Sequence, residues 1–263
     1  MAAQTLVVTS GKGGVGKTTT VANLGTALAK KGYKVVLIDA DIGLRNLDVV
    51  MGLENRIVYN LVDIVEGKCR IEQAMIRDRK LKTLHIIPAA QTRDKDAVSP
   101  EQMKALCEQL AAENDYVIID SPAGIERGFK NAMAGAQKAL VVTTPEVSAI
   151  RDADRVIGLL EAHLLKDIHL IINRLNVKMV KKGDMMSTAD IVSLLSIPLI
   201  GVVPESSEVV VSTNRGVPLV HERGSRVGQA FEKIAARLNG ENIPLDDEEE
   251  NGFLSRFKRI FGG

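Results

Sequence analysis

Residues 5–20, Thr-Leu-Val-Val-Thr-Ser-Gly-Lys-Gly-Gly-Val-Gly-Lys-Thr-Thr-Thr, constrain the chain more than any other stretch. The β-branched apolar run Leu6-Val7-Val8 predicts a buried strand, and Val21, Leu24 and Leu28 keep the spacing of a helix. Between them, Gly11-x4-Gly16-Lys17-Thr18 has the spacing of a phosphate-binding loop. Glycine carries little penalty at positive φ, so the backbone N–H groups of Gly11, Gly13, Gly14, Val15 and Gly16 are free to curl around a phosphate. The helix start at Lys17, Thr18 and Thr19 adds partial positive charge. Lys17 has the length to reach β- and γ-phosphates, and the Thr18 hydroxyl is a ligand for Mg²⁺. The same letters also satisfy Gly-x-Gly-x-x-Gly, and Asp39 follows the next strand, so a dinucleotide fold remains a rival at this point. The Lys17-Thr18 pair favours a nucleoside triphosphate. Lys12, a second lysine inside the loop, is unexplained by either.

Strand-like runs at 5–9, 35–38, 84–87, 116–119, 139–143, 168–172 and 199–203 are mostly continuous rather than alternating, as expected of strands covered on both faces. Helical patterns at 17–31, 58–66, 99–113, 127–136, 147–165, 188–196, 205–214 and 225–239 lie between them. The alternation predicts a doubly wound α/β fold: a mostly parallel sheet of seven or eight strands with helices on both faces. Ligands in such sheets sit at the carboxyl ends of the strands. Two acidic strand ends fall there. Asp39-Ala-Asp41 and Tyr116-Val-Ile-Ile-Asp120 supply carboxylates beside the loop, so Thr18, Asp39 and Asp120 are the candidate Mg²⁺ residues, and Asp41 is placed to orient a water.

With 34 Lys and Arg against 33 Asp and Glu, the chain has no global pull toward nucleic acid, and none is expected as a partner. Cys69 and Cys107 lie far apart and suggest neither a disulfide framework nor a metal knot. No run approaches a membrane span. Residues 1–240 read as one nucleotide-binding domain, and 241–252 as an acidic flexible linker. In 253–263 the apolar Phe253, Leu254, Phe257, Ile260 and Phe261 form one helical stripe, with Arg256, Lys258 and Arg259 on the other positions. A basic amphipathic helix of this kind suits an interface of anionic lipids. Burial and charge supply about 8 kcal/mol and ordering costs about 10 kcal/mol, so a single tail binds weakly, whereas two joined in a dimer gain avidity.

Lys12-Gly-Gly-Val-Gly-Lys17-Thr-Thr, with its early lysine, resembles the deviant phosphate loop of the ParA/MinD family of ATPases. Gln91-Thr-Arg-Asp-Lys-Asp96, Asp120-Ser-Pro-Ala-Gly-Ile-Glu126 and Pro145-Glu-Val-Ser-Ala-Ile-Arg-Asp152 are similar to the branch of that family that places the bacterial division site. The resemblance implies an ATP- and Mg²⁺-dependent hydrolase that forms a homodimer on binding ATP. Lys12 would reach the nucleotide of the other subunit, Asp41 would position the hydrolytic water, and Asn46 would support the nucleotide at the interface. Asn173 and Pro204 would touch adenine, and Glu146, Asp152 and Asp154 would face the dimer or its partners. It further implies a division inhibitor (MinC) and an activator of hydrolysis (MinE) as partners, with residence in the cytoplasm and on the cytoplasmic face of the inner membrane. A DNA-partition ATPase and a polymerising membrane scaffold are the alternatives.

Overall fold

A computed structural model describes residues 3–94 and 97–245. The linker from 246 onward and the amphipathic stretch 253–263 lie outside the described residues, as do Lys95 and Asp96. The strands are β1 (Gln4–Thr9), β2 (Val35–Asp39), β3 (Ile76–Arg77), β4 (Leu84–Ile87), β5 (Tyr116–Asp120), β6 (Lys138–Thr143), β7 (Asp167–Leu175) and β8 (Leu199–Pro204). The helices are α1 (Lys17–Lys30), α2 (Leu47–Val50), α3 (Leu61–Val65), α4 (Ile71–Ala74), α5 (Pro100–Ala111) and α6 (Arg127–Met133). They continue with α7 (Val147–Ala162), α8 (Val177–Lys182), α9 (Thr188–Leu195), α10 (Glu208–Arg215) and α11 (Arg226–Leu238).

The strands form one sheet in the order β3-β4-β2-β5-β1-β6-β7-β8. Every pairing is parallel except that of β3 with β4. Successive side chains of β1 go to opposite faces, so Leu6 and Val8 join one core layer while Val7 joins the other. The first layer is covered by α1 and α11; the second contains residues of α5, α6 and α7. All five residues of β2 and of β5 are buried, which explains the continuous apolar runs.

The expected doubly wound sheet is present, with local differences. The edge strand β3 is only two residues long and leaves no run to read in the sequence. The helix expected over 58–66 begins at Leu61, because Asn60 caps it reciprocally with Asp63. The linker expected from 241 is fastened to the domain over its first residues: Glu241 pairs with Lys31, and Arg237 donates to the carbonyls of Ile243 and Pro244. Among the described residues no helix is long and apolar enough to cross a membrane.

Candidate functional site

The carboxyl end of β1 runs into the loop 10–16, and α1 begins at Lys17 with Gly16 as its N-cap in a left-handed conformation, φ 101°. Two close approaches require glycine here. A Cβ on Gly11 would lie 2.2 Å from the backbone carbonyl carbon and oxygen of Asp152, and one on Gly16 would lie 2.3 Å from Nδ2 of Asn173. The loop is thus wedged between α7 and the end of β7. Among the described residues, none of the N–H groups from Gly13 to Thr19 donates to a backbone carbonyl. A row of unspent donors at a helix start suits a polyanion.

Neighbouring strands deliver the acidic groups. β2 and β5 are adjacent and in register, Asp39 beside Asp120, and both residues are buried. Asp39 spends its oxygens on the loop that follows it: Oδ1 accepts from Asp41 N at 3.0 Å, and Oδ2 accepts from Asn46 N at 3.2 Å and Leu47 N at 3.1 Å. It therefore organises the segment 41–47. Both oxygens of Asp120 are buried without a hydrogen-bond partner, although the Thr18 hydroxyl lies against the carboxyl group. Burial pushes Asp120 up to about 8, reinforced by the Asp39 carboxylate, with Thr18 and Lys17 pulling the other way. Burial likewise pushes Asp39 up to about 7, against the N–H groups of Leu47 and Asp41 and with the Asp41 and Asp48 charges adding to it. Lys17 is buried, which lowers its pKa, and the Asp120 and Asp41 charges oppose that shift. A buried orphan carboxylate beside a threonine hydroxyl is a pair of hard oxygen donors, and it fits Mg²⁺.

Of the other residues singled out in the sequence, Lys12 is exposed, and its Nζ lies 3.3 Å from both Glu146 Oε2 and Ser148 Oγ at the start of α7. Glu146, at the N-cap of α7, and Asp154, within it, are exposed, while Asp152 is half-buried with Arg155 at 3.6 Å. Asn46 is exposed and sits at the N-cap position of α2. Asn173 is buried; its Nδ2 donates to Val15 O at 2.7 Å and its Oδ1 accepts from Arg174 N. Pro204 ends β8 opposite Leu175, so Asn173 and Pro204 lie at neighbouring strand ends.

Three contacts had no sequence signal. Arg174 Nη2 donates to Gly14 O at 2.8 Å across a separation of 160 residues. Ser148 shares Lys12 with Glu146. Arg45, in a left-handed conformation at φ 48°, pairs through Nε with the buried Asp48 at 2.9 Å.

A donor-lined glycine loop at the end of β1, a buried lysine, and two acidic strand ends together define a P-loop nucleotide-binding protein. Residues 6–219 match the family described as the CobQ/CobB/MinD/ParA nucleotide binding domain, and the chain belongs to this family, in its MinD branch. It is 53% identical over 263 residues to the septum site-determining protein MinD of Bacillus subtilis, covering 98% of each chain. It is 56% identical over 262 residues to the Synechocystis protein of the same name, again covering 98% of each. Among solved structures it resembles the MinD of a MinC:MinD cell division protein complex from Aquifex aeolicus, with a TM-score of 0.87, 49% identity, and coverage of 93% of this chain and 99% of that one. It also resembles the Pyrococcus horikoshii septum site-determining protein MinD complexed with Mg-ADP, with a TM-score of 0.81, 29% identity, and coverage of 90% and 96%.

Proposed function

We propose that the protein is a Mg²⁺-dependent ATPase that acts as a membrane-attachment switch in placing the bacterial division site. The observation that carries the reading is the Asp120 carboxylate, buried and without a hydrogen-bond partner at close range, beside Thr18 and Lys17 of the phosphate loop. In a protein without a bound cation such a group is costly, so the fold retains it for a ligand. Asp120 and Thr18 would hold Mg²⁺, and bound Mg²⁺ would neutralise charge on the phosphate oxygens. The loop N–H groups bind the phosphates, and Lys17 supplies a fixed positive charge with no reorganisation. Asp41, on the loop that Asp39 organises, holds and orients the attacking water.

Lys12 completes a second subunit's site. Its contacts with Glu146 and Ser148 are exposed and long, and a pair of this kind stabilises by about 1 kcal/mol at most, so release toward a partner is cheap. ATP-driven dimerisation then joins two copies of 253–263 and holds the protein on anionic lipid by avidity, and hydrolysis releases it. The relative solved with MinC supports a division inhibitor as one partner recruited in that state. MinE, as the activator of hydrolysis, completes the cycle.

Phosphate release at increasing protein concentration is the direct check. Specific activity is expected to rise with concentration, because the site is complete only in the dimer, and chelation of Mg²⁺ is expected to abolish it. Constant specific activity across a hundredfold range would contradict a shared site.

A further inference from the structure

The end of β7 holds two consecutive carbonyls of the phosphate loop: Asn173 Nδ2 donates to Val15 O at 2.7 Å, and Arg174 Nη2 donates to Gly14 O at 2.8 Å. In a trans peptide the C=O and the following N–H point in opposite directions. Drawing the Gly14 carbonyl toward Arg174 therefore turns the N–H of Val15 the other way, and drawing the Val15 carbonyl toward Asn173 does the same to the N–H of Gly16. Both N–H groups are then turned away from the end of β7, and neither donates to a backbone carbonyl among the described residues.

Arg174 adopts this position at a cost. It sits at φ 59°, in the left-handed region that favours glycine, where the pairing of β7 with β8 shifts register between Ile172 and Leu175. Asn173 Oδ1 accepts the Arg174 N–H and fixes the bend. A strained backbone in a non-glycine residue persists when the surroundings enforce it, and here the distortion aims the guanidinium at the loop.

We propose that Arg174 is a positioning residue for nucleotide binding: through the Gly14 carbonyl it sets the peptide planes that present the Val15 and Gly16 N–H groups to the phosphates. The proposal rests on the reading of the loop as a nucleotide site and names a residue outside it that determines its affinity. Because the donors concerned serve phosphates shared by ATP and ADP, both nucleotides are affected alike.

Three full-length variants test it, with a fluorescent ADP analogue and Mg²⁺ as the probe and the melting temperature of each nucleotide-free protein as the control. Arg174→Met keeps the stem and removes the donors, Arg174→Gly also relieves the left-handed backbone, and Arg174→Lys returns one donor. Arg174→Met and Arg174→Gly are expected to weaken ADP about tenfold, the scale of one charged hydrogen bond, with Arg174→Lys recovering part of the loss. Arg174→Gly is expected to melt at or above the wild type while binding worse, an opposition of signs that a merely structural residue would not produce. Wild-type binding that persists within twofold in Arg174→Met overturns the proposal, and so does a loss of affinity that only follows a loss of melting temperature. A wild type that does not bind ADP overturns the reading of the site together with it.

Discussion

Asp120→Asn is expected to make the nucleotide-free protein more stable at pH 8, by about 2 kcal/mol, and to cost about a hundredfold or more in ATP hydrolysis. The sign follows from the environment of the carboxylate. Burial and the neighbouring Asp39 raise Asp120 to about 8 and Asp39 to about 7, far above an unfolded carboxylate. Between about pH 4 and 8 the folded chain therefore binds more protons than the unfolded one, and stability falls as pH rises through that window. An amide has no charge to bury, so the variant loses that part of the pH dependence and gains most at the alkaline end. For a chain of this size the gain corresponds to an increase of about 4–8 °C in melting temperature. With saturating Mg-nucleotide the order reverses, because the wild type gains binding energy that the variant lacks, about 2.7 kcal/mol at a hundredfold excess over Kd. Thermal melts at pH 6 and pH 8, with and without Mg-ADP, check all three statements. A less stable nucleotide-free variant at pH 8 would mean that Asp120 is held ionised by a structural partner.

Lys12→Ala is expected to leave ATP affinity within about twofold and to lower hydrolysis by 10²-fold or more, the scale of a charge supplied in trans to a phosphoryl transition state. Folding is expected to change by less than about 1 kcal/mol, since the contacts with Glu146 and Ser148 are exposed. Mixing variants separates trans from cis. A Lys12→Ala subunit keeps Asp41, and an Asp41→Ala subunit keeps Lys12, so a mixed dimer contains one complete site if the lysine crosses over. Equal mixing should then return about a quarter of wild-type activity, because half the dimers are mixed and each has one site. No recovery on mixing would place Lys12 on its own subunit's nucleotide.

Features set by local spacing were legible in the sequence. The loop from Gly11 to Thr18, the acidic strand ends at Asp39 and Asp120, and the seven longer strands all express themselves in runs of adjacent residues. Features set by tertiary contact were not. β3 has two residues and is a strand only because β4 lies beside it. Asp39 was expected to stand on the metal side, and its neighbour Asp120 proves the freer carboxylate, because the backbone of 41–47 folds onto the oxygens of Asp39. The hydrogen bond from Asn173 to the loop carbonyl of Val15 spans 158 residues and has no local signature. The hold of Arg174 on Gly14 depends on a left-handed residue at a register shift, which no pattern of apolar residues encodes. Lys12 stood out by its type and position in the loop, yet its company on α7 required the fold.

The proposed switch depends on the stretch 253–263, and co-sedimentation with anionic vesicles tests that dependence most directly. With Mg²⁺ and ATP the full-length protein is expected in the pellet; with Mg²⁺ and ADP it is expected mostly in the supernatant; without residues 253–263 it is expected to stay soluble with either nucleotide. Equal sedimentation with ATP and ADP, or retention on vesicles after removal of 253–263, would contradict a nucleotide-gated attachment.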